Sequence, residues 1–135
     1  MEFLVSRGTQ DLGLPFSDAV RVGGMLCLSG QIGNLPGQFE LAPGGIEAET
    51  RQMMDNIAHV LNAAGRSFDD IFKCLVMLAD MDDWAAFNAV YVGYFRPGRL
   101  PARSAFAARA LALGARVEME CWVWDGPAGR DMIRN

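Results

Sequence analysis

The chain has 135 residues, of which 51% are hydrophobic, with a net charge of −4 and a pI near 4.9. That length accommodates one domain with a real core and not two, and the acidic balance argues against a nucleic-acid partner, which would call for a basic surface. So apolar a composition in so short a chain predicts surface buried against another copy of itself.

Taken in order, residues 5–10 read as a short edge strand and Pro15-Phe16-Ser17-Asp18 as a turn. Residues 19–22 and 25–31 read as two strands joined by Gly23-Gly24, a two-residue hairpin signal. The second ends in Ser29-Gly30, where a missing side chain lets a backbone or a ligand come close. Residues 34–45 are loop, punctuated by Pro36-Gly37 and Pro43-Gly44-Gly45. Residues 46–64 carry the clearest helical period, with Ile46, Met53, Met54, Ile57, Val60, Leu61 and Ala64 on one face and His59 roughly opposite. An exposed His59 is no convincing catalytic base.

Residues 71–78 are apolar on both faces apart from Lys73, which predicts a central strand. Acids at Asp80, Asp82 and Asp83 open a second helix, whose buried stripe is read as Trp84, Phe87, Tyr91 and Phe95, with Asn88 inside it. A buried amide needs partners, so Asn88 either ties down a loop or contributes to a site. Residues 100–106 and 116–123 are two further strands. Alternation puts Arg103, Ala105 and Ala107 on one face of the first, and Arg116, Glu118, Glu120 and Trp122 opposite Val117, Met119, Cys121 and Val123 in the second. If these strands pair as antiparallel neighbours, Arg103 shares a face with Glu118. A guanidinium that grips carboxylates in two directions would then lie beside a carboxylate able to activate water. A structural ion pair on a solvated face is the other reading.

Arg96, Arg99, Arg103, Arg109 and Arg116 crowd into one fifth of the chain, which suggests a local positive field for a small anion. Cys27, Cys74 and Cys121 are odd in number and far apart, as expected of reduced, buried thiols. One histidine and no close cysteine pair argue against zinc. With no run long enough to span a membrane and no basic-then-apolar start, a cytoplasmic protein without a membrane partner is expected. The element order predicts an α+β domain over residues 1–125, with two helices on one face of a single sheet and a flexible tail at 126–135. The other sheet face is left open, and oligomerisation through it would place charged residues in clefts between subunits.

Pro15-Phe16-Ser17-Asp18-Ala19-Val20, Leu28-Ser29-Gly30-Gln31, Lys73, Asp80-Met81-Asp82-Asp83, Asn88-Ala89-Val90-Tyr91, Pro101-Ala102-Arg103-Ser104 and Val117-Glu118-Met119-Glu120 occur in this order. The series resembles the RidA/YjgF family, small enamine/imine deaminases also labelled L-PSP endoribonucleases, over about residues 13–124. The resemblance implies a two-layer chorismate-mutase-like fold with one mixed sheet, and a homotrimer whose sheets form a barrel with active sites between subunits. It implies that Arg103 binds the carboxylate of a 2-imino acid and Glu118 positions the attacking water, with Ser29, Gly30 and Asn88 in or beside the pocket and no cofactor. Phe16 stands where deaminating members carry tyrosine, and Ala105 where many carry cysteine. The loop before Pro101 is shorter than in familiar members. A non-catalytic trimer that binds a small carboxylate is the alternative, and ribonuclease the least favoured reading, since no aromatic-and-basic stripe is present.

Overall fold

In the computed structural model, residues 1–127 are described. Strand β1 (Glu2–Leu4) is followed by a short helix α1 (Arg7–Asp11), then β2 (Ala19–Val22), β3 (Met25–Leu28) and β4 (Gln31–Ile32). Helix α2 (Ile46–Ala63), β5 (Ile71–Leu78), α3 (Trp84–Tyr91), β6 (Ala102–Ala107) and β7 (Val117–Trp124) complete the order. The edge strand expected at residues 5–10 is displaced: Ser6 accepts a hydrogen bond from the Thr9 amide and so caps a helix there. The strand expected at 25–31 breaks at Ser29-Gly30 into β3 and β4, both paired with β7.

One sheet runs in the order β1-β2-β3-β7-β5-β6, with β4 alongside β7. Every described pairing is antiparallel except β5 with β6. Parallel neighbours need a crossover, and α3 supplies it. The β2–β3 hairpin closes on Gly23 and Gly24, whose φ of 53° and 82° are both left-handed, as a primed two-residue turn requires.

Helix α2 buries Met53, Met54, Ile57, Val60 and Leu61 in one core with Val117, Met119, Cys121 and Val123 of β7. The alternation of β7 is realised residue by residue, and burying each such side chain contributes about 1.5–3 kcal/mol. Cys74 and Cys121 are buried and free, as expected, whereas Cys27 is only half-buried. Phe87, Tyr91 and Phe95 are buried under α3, but Trp84 is 44% exposed and does not belong to that stripe. Arg116 fixes where α3 begins: its Nε and Nη2 donate to the Asp83 carboxylate at 2.9 and 2.8 Å. Its own backbone N–H donates to Glu49 in α2 at 2.9 Å, so the start of β7 locks both helices.

Among the described residues, neither α2 nor α3 covers the opposite sheet face. Phe3, Met25, Phe106 and Trp124 all lie on it with large exposed areas, more apolar surface than a small monomer ordinarily shows. At the C-terminal end, Asp125 is held to its neighbours by hydrogen bonds. Its N–H donates to the Gly24 carbonyl at 2.8 Å and its carboxylate accepts from Arg21 and Arg66. Burial works to raise its pKa, but those two hydrogen bonds outweigh burial and lower it. Trp124 Nε1 donates to the Pro127 carbonyl at 2.8 Å, and residues 128–135 of the expected tail lie outside the described residues.

Candidate active site

Arg103 and Glu118 do not share a sheet face. Strand β5 lies between β6 and β7, with Arg103 opposite Cys74 and Cys74 opposite Cys121. Residues directly opposite in a ladder point the same way, so Arg103 joins the helix-covered face. Glu118 is opposite Met77, which is opposite Phe106, and these belong to the open face. The antiparallel pairing expected from alternation alone is therefore corrected, and with it the ion-pair reading. Among the described residues, no carboxylate is within ion-pairing distance of Arg103.

The guanidinium instead rests on aromatic rings of α3. Its carbon is 4.8 Å from the Tyr91 ring centroid, 5.5 Å from Phe87 and 5.9 Å from Trp84. This arrangement holds the charge in place and leaves its hydrogen-bonding edge unmatched. A cavity of about 250 Å³ opens beside it, lined by Trp84, Asn88, Tyr91, Val92, Leu100, Pro101 and Arg103. Among the described residues, Asn88 Oδ1 and the Tyr91 hydroxyl are both buried with no hydrogen-bond partner, although the Cys74 thiol lies close to the hydroxyl. Loop-tying by Asn88 is thus not seen at Oδ1. Tyr91 is held as a neutral phenol, since burial and then the neighbouring Cys74 thiol push its pKa up. Orphaned polar atoms cost about 1–3 kcal/mol each, and two of them beside the Arg103 guanidinium around one cavity fit a ligand with both donors and acceptors. Ala105, two residues along β6, is opposite Val76 and packs against the core rather than lining this cavity.

The second cluster forms where β3 breaks. Ser29 Oγ donates to the Ser17 carbonyl at 2.6 Å, and its N–H donates to the Asp18 carbonyl at 2.9 Å. Ser29 therefore holds the Phe16 turn, and Phe16 itself is exposed. Asp18 is buried and accepts from Thr9 Oγ1 at 2.7 Å, which pins the same turn from the other side. Next to Ser29, Gly30 lies against Glu118: a Cβ there would stand 2.1 Å from Glu118 Oε1. The glycine is what leaves room for that carboxylate. Burial, and then the charge of Glu120, push the Glu118 pKa up, toward what a general base needs.

Two of the five clustered arginines are paired with acids: Arg96 with Asp69 and Arg116 with Asp83. Among the described residues, no grouping of His, Cys, Asp and Glu could hold a metal ion, and no helix is long and apolar enough to cross a membrane.

The family model described as endoribonuclease L-PSP matches residues 11–124. The 2-iminobutanoate/2-iminopropanoate deaminase of Mus musculus is 42% identical over 113 residues, covering 84% of this chain and 83% of that protein. The chain belongs to the RidA/YjgF family. The chloroplastic reactive intermediate deaminase A of Arabidopsis thaliana is 35% identical over 79% of this chain and 57% of its own. Among solved structures, the YjgF gene product of E. coli superposes with a TM-score of 0.82 at 29% identity, covering 92% and 98% of the two chains. RidA from the Antarctic bacterium Psychrobacter gives 0.76 at 37% identity, covering 82% and 88%. The mixed α+β fold with one sheet is thereby that of the RidA/YjgF proteins.

Within this RidA/YjgF chain, the residues singled out from sequence fall mainly into two clusters on opposite sheet faces. Arg103 and Asn88 belong to the first; Phe16, Ser29, Gly30 and Glu118 belong to the second. Sequence reasoning missed Tyr91 as a polar wall and Trp84, Val92 and Leu100 as apolar ones.

Proposed function

We propose that this chain hydrolyses 2-imino acids to 2-oxo acids and ammonia, as a cytoplasmic homotrimer whose active sites each join Arg103 of one protomer to Glu118 of the next. The observation that carries the reading is the Arg103 guanidinium set beside Asn88 Oδ1 and the Tyr91 hydroxyl, with no ion pair for the first and no hydrogen-bond partner for the other two among the described residues. Curated relatives named as imine deaminases support the reaction class.

In this reading Arg103 takes the substrate carboxylate on two parallel N–H···O bonds, which fixes the C=N carbon in one orientation. Glu118 accepts a proton from water as the water oxygen bonds to that carbon, and the π pair moves to nitrogen, which is protonated. Collapse of the resulting carbinolamine breaks the C–N bond, releases ammonia and leaves the 2-oxo acid. Imines hydrolyse unaided, so orientation and one base suffice, and no cofactor enters the scheme.

Because the two clusters lie on opposite sheet faces, a contact joining them is head-to-tail, and such a contact closes into a ring when the rotation between neighbours is a whole fraction of a turn. The exposed apolar sheet face favours the same assembly, with three copies implied by the family likeness. Generating imino acids in situ from several amino acids and following 2-oxo acid release tests the function. Release above the spontaneous rate is expected. No release from any of them, with 2-oxo acids still bound, would favour the carboxylate-binding module.

Glu118 also predicts a pH dependence. It must be ionised to act, and its pKa is raised by burial and by Glu120. The acid limb of kcat/KM should therefore lie above the ordinary carboxylate range, with activity falling as pH drops through it. Glu120→Gln removes the second cause and should move the limb to lower pH. An unmoved limb would assign it to another group.

A further inference from the structure

The cavity at Arg103 has a wall that imine hydrolysis itself does not need. Resting on the deaminase reading above, we propose that this cavity selects 2-imino acids with branched or aromatic side chains, and that Trp84 sets the preference.

The polar groups of the cavity are confined to Arg103, Asn88 and Tyr91; Trp84, Val92, Leu100 and Pro101 supply the rest of the lining. Three of those four are large apolar side chains left exposed, at 44% for Trp84, 50% for Val92 and 54% for Leu100. Exposed apolar side chains are ordinary when scattered, but these converge on one cavity beside one charge. A carboxylate held by Arg103 would leave its substituent to lie against them. The methyl or ethyl group of 2-iminopropanoate or 2-iminobutanoate, after which curated relatives are named, would cover little of this wall. An isobutyl or benzyl group would cover much more, and an indole face suits both.

Trp84 is also rigidly placed, which a specificity wall requires. It is the first residue of α3, and Asp83 before it is clamped by two hydrogen bonds from Arg116. Its ring stands 5.9 Å from the Arg103 guanidinium carbon, so wall and anchor are adjacent. Phe87 and Tyr91 of the same helix are buried in the core, so Trp84 is the one ring of the three beside Arg103 that stands exposed.

The experiment compares alanine-derived with leucine- and phenylalanine-derived imino acids, generated in situ, for wild type, Trp84→Ala and Trp84→Phe. In parallel, calorimetry measures Kd for pyruvate, 4-methyl-2-oxopentanoate and phenylpyruvate, stable molecules with the same carboxylate and side chains. Wild type should favour the larger members by about tenfold or more in kcat/KM and in Kd, the range one apolar contact commands. Trp84→Ala should lower that ratio about tenfold, and Trp84→Phe should keep most of it. Equal values for small and large members in wild type, or an unchanged ratio in Trp84→Ala, would overturn the proposal. Hydrolysis without size preference removes this proposal and leaves the deaminase reading standing. A size preference in Kd without hydrolysis does the reverse.

Discussion

Arg103→Lys should lower kcat/KM for a 2-imino acid by roughly 100-fold while the protein stays folded. The guanidinium is planar, lies over the Tyr91 ring at 4.8 Å and presents parallel donors at a fixed spacing. Lysine keeps the charge but loses the fork, so the carboxylate is held at one point and the C=N carbon is free to turn. A hydrogen bond to a charged group contributes about 1.5–3 kcal/mol, which is about 10- to 100-fold in rate. Losing the stacked geometry adds to that. Stability should change little, because Arg103 makes no ion pair among the described residues. Steady-state kinetics and a thermal unfolding scan check both halves. A variant as active as wild type would make the carboxylate anchor wrong.

Gly30→Ala should cost nearly as much activity from a residue that has no functional group. The added methyl would stand 2.1 Å from Glu118 Oε1 and 3.0 Å from its carboxyl carbon, a separation no pair of atoms tolerates. The far end of a glutamate can swing aside, so the fold absorbs the change and unfolding should shift by only a few degrees. The displaced carboxylate, however, no longer stands where the water must be. A misplacement of about 1 Å can cost about 100-fold, and kcat should carry the loss more than substrate affinity does. A large rise in KM with kcat unchanged would instead place Gly30 in substrate binding.

How far the sequence went is clearest in the β6 and β7 strands. Alternation assigned every side chain of residues 117–123 to its correct face, because a period of two is a local property of the chain. It did not reveal that β5 inserts between β6 and β7, since strand order is decided by packing over long separations. A clue existed: β5, α3 and β6 follow one another as strand, helix, strand, which is how parallel neighbours are connected. Reading that unit would have put Arg103 on the helix face from the outset. Helix α2, the Gly23-Gly24 turn and the exposure of His59 were all legible for local reasons. The orphaned Asn88 Oδ1 and Tyr91 hydroxyl were not, because a missing partner is a fact about every neighbouring element at once.

The composite site is tested most directly by mixing two variants that are inactive alone. Arg103→Lys protomers retain Glu118, and Glu118→Gln protomers retain Arg103. Unfolding and refolding them together in equal amounts forms mixed rings, in which about one junction in four pairs an intact Arg103 with an intact Glu118 across the interface. The account predicts recovery to roughly one quarter of wild-type activity, with the parent variants refolded separately staying inactive. A mixture no more active than its parents, in rings shown to contain both variants, would contradict a site shared between protomers.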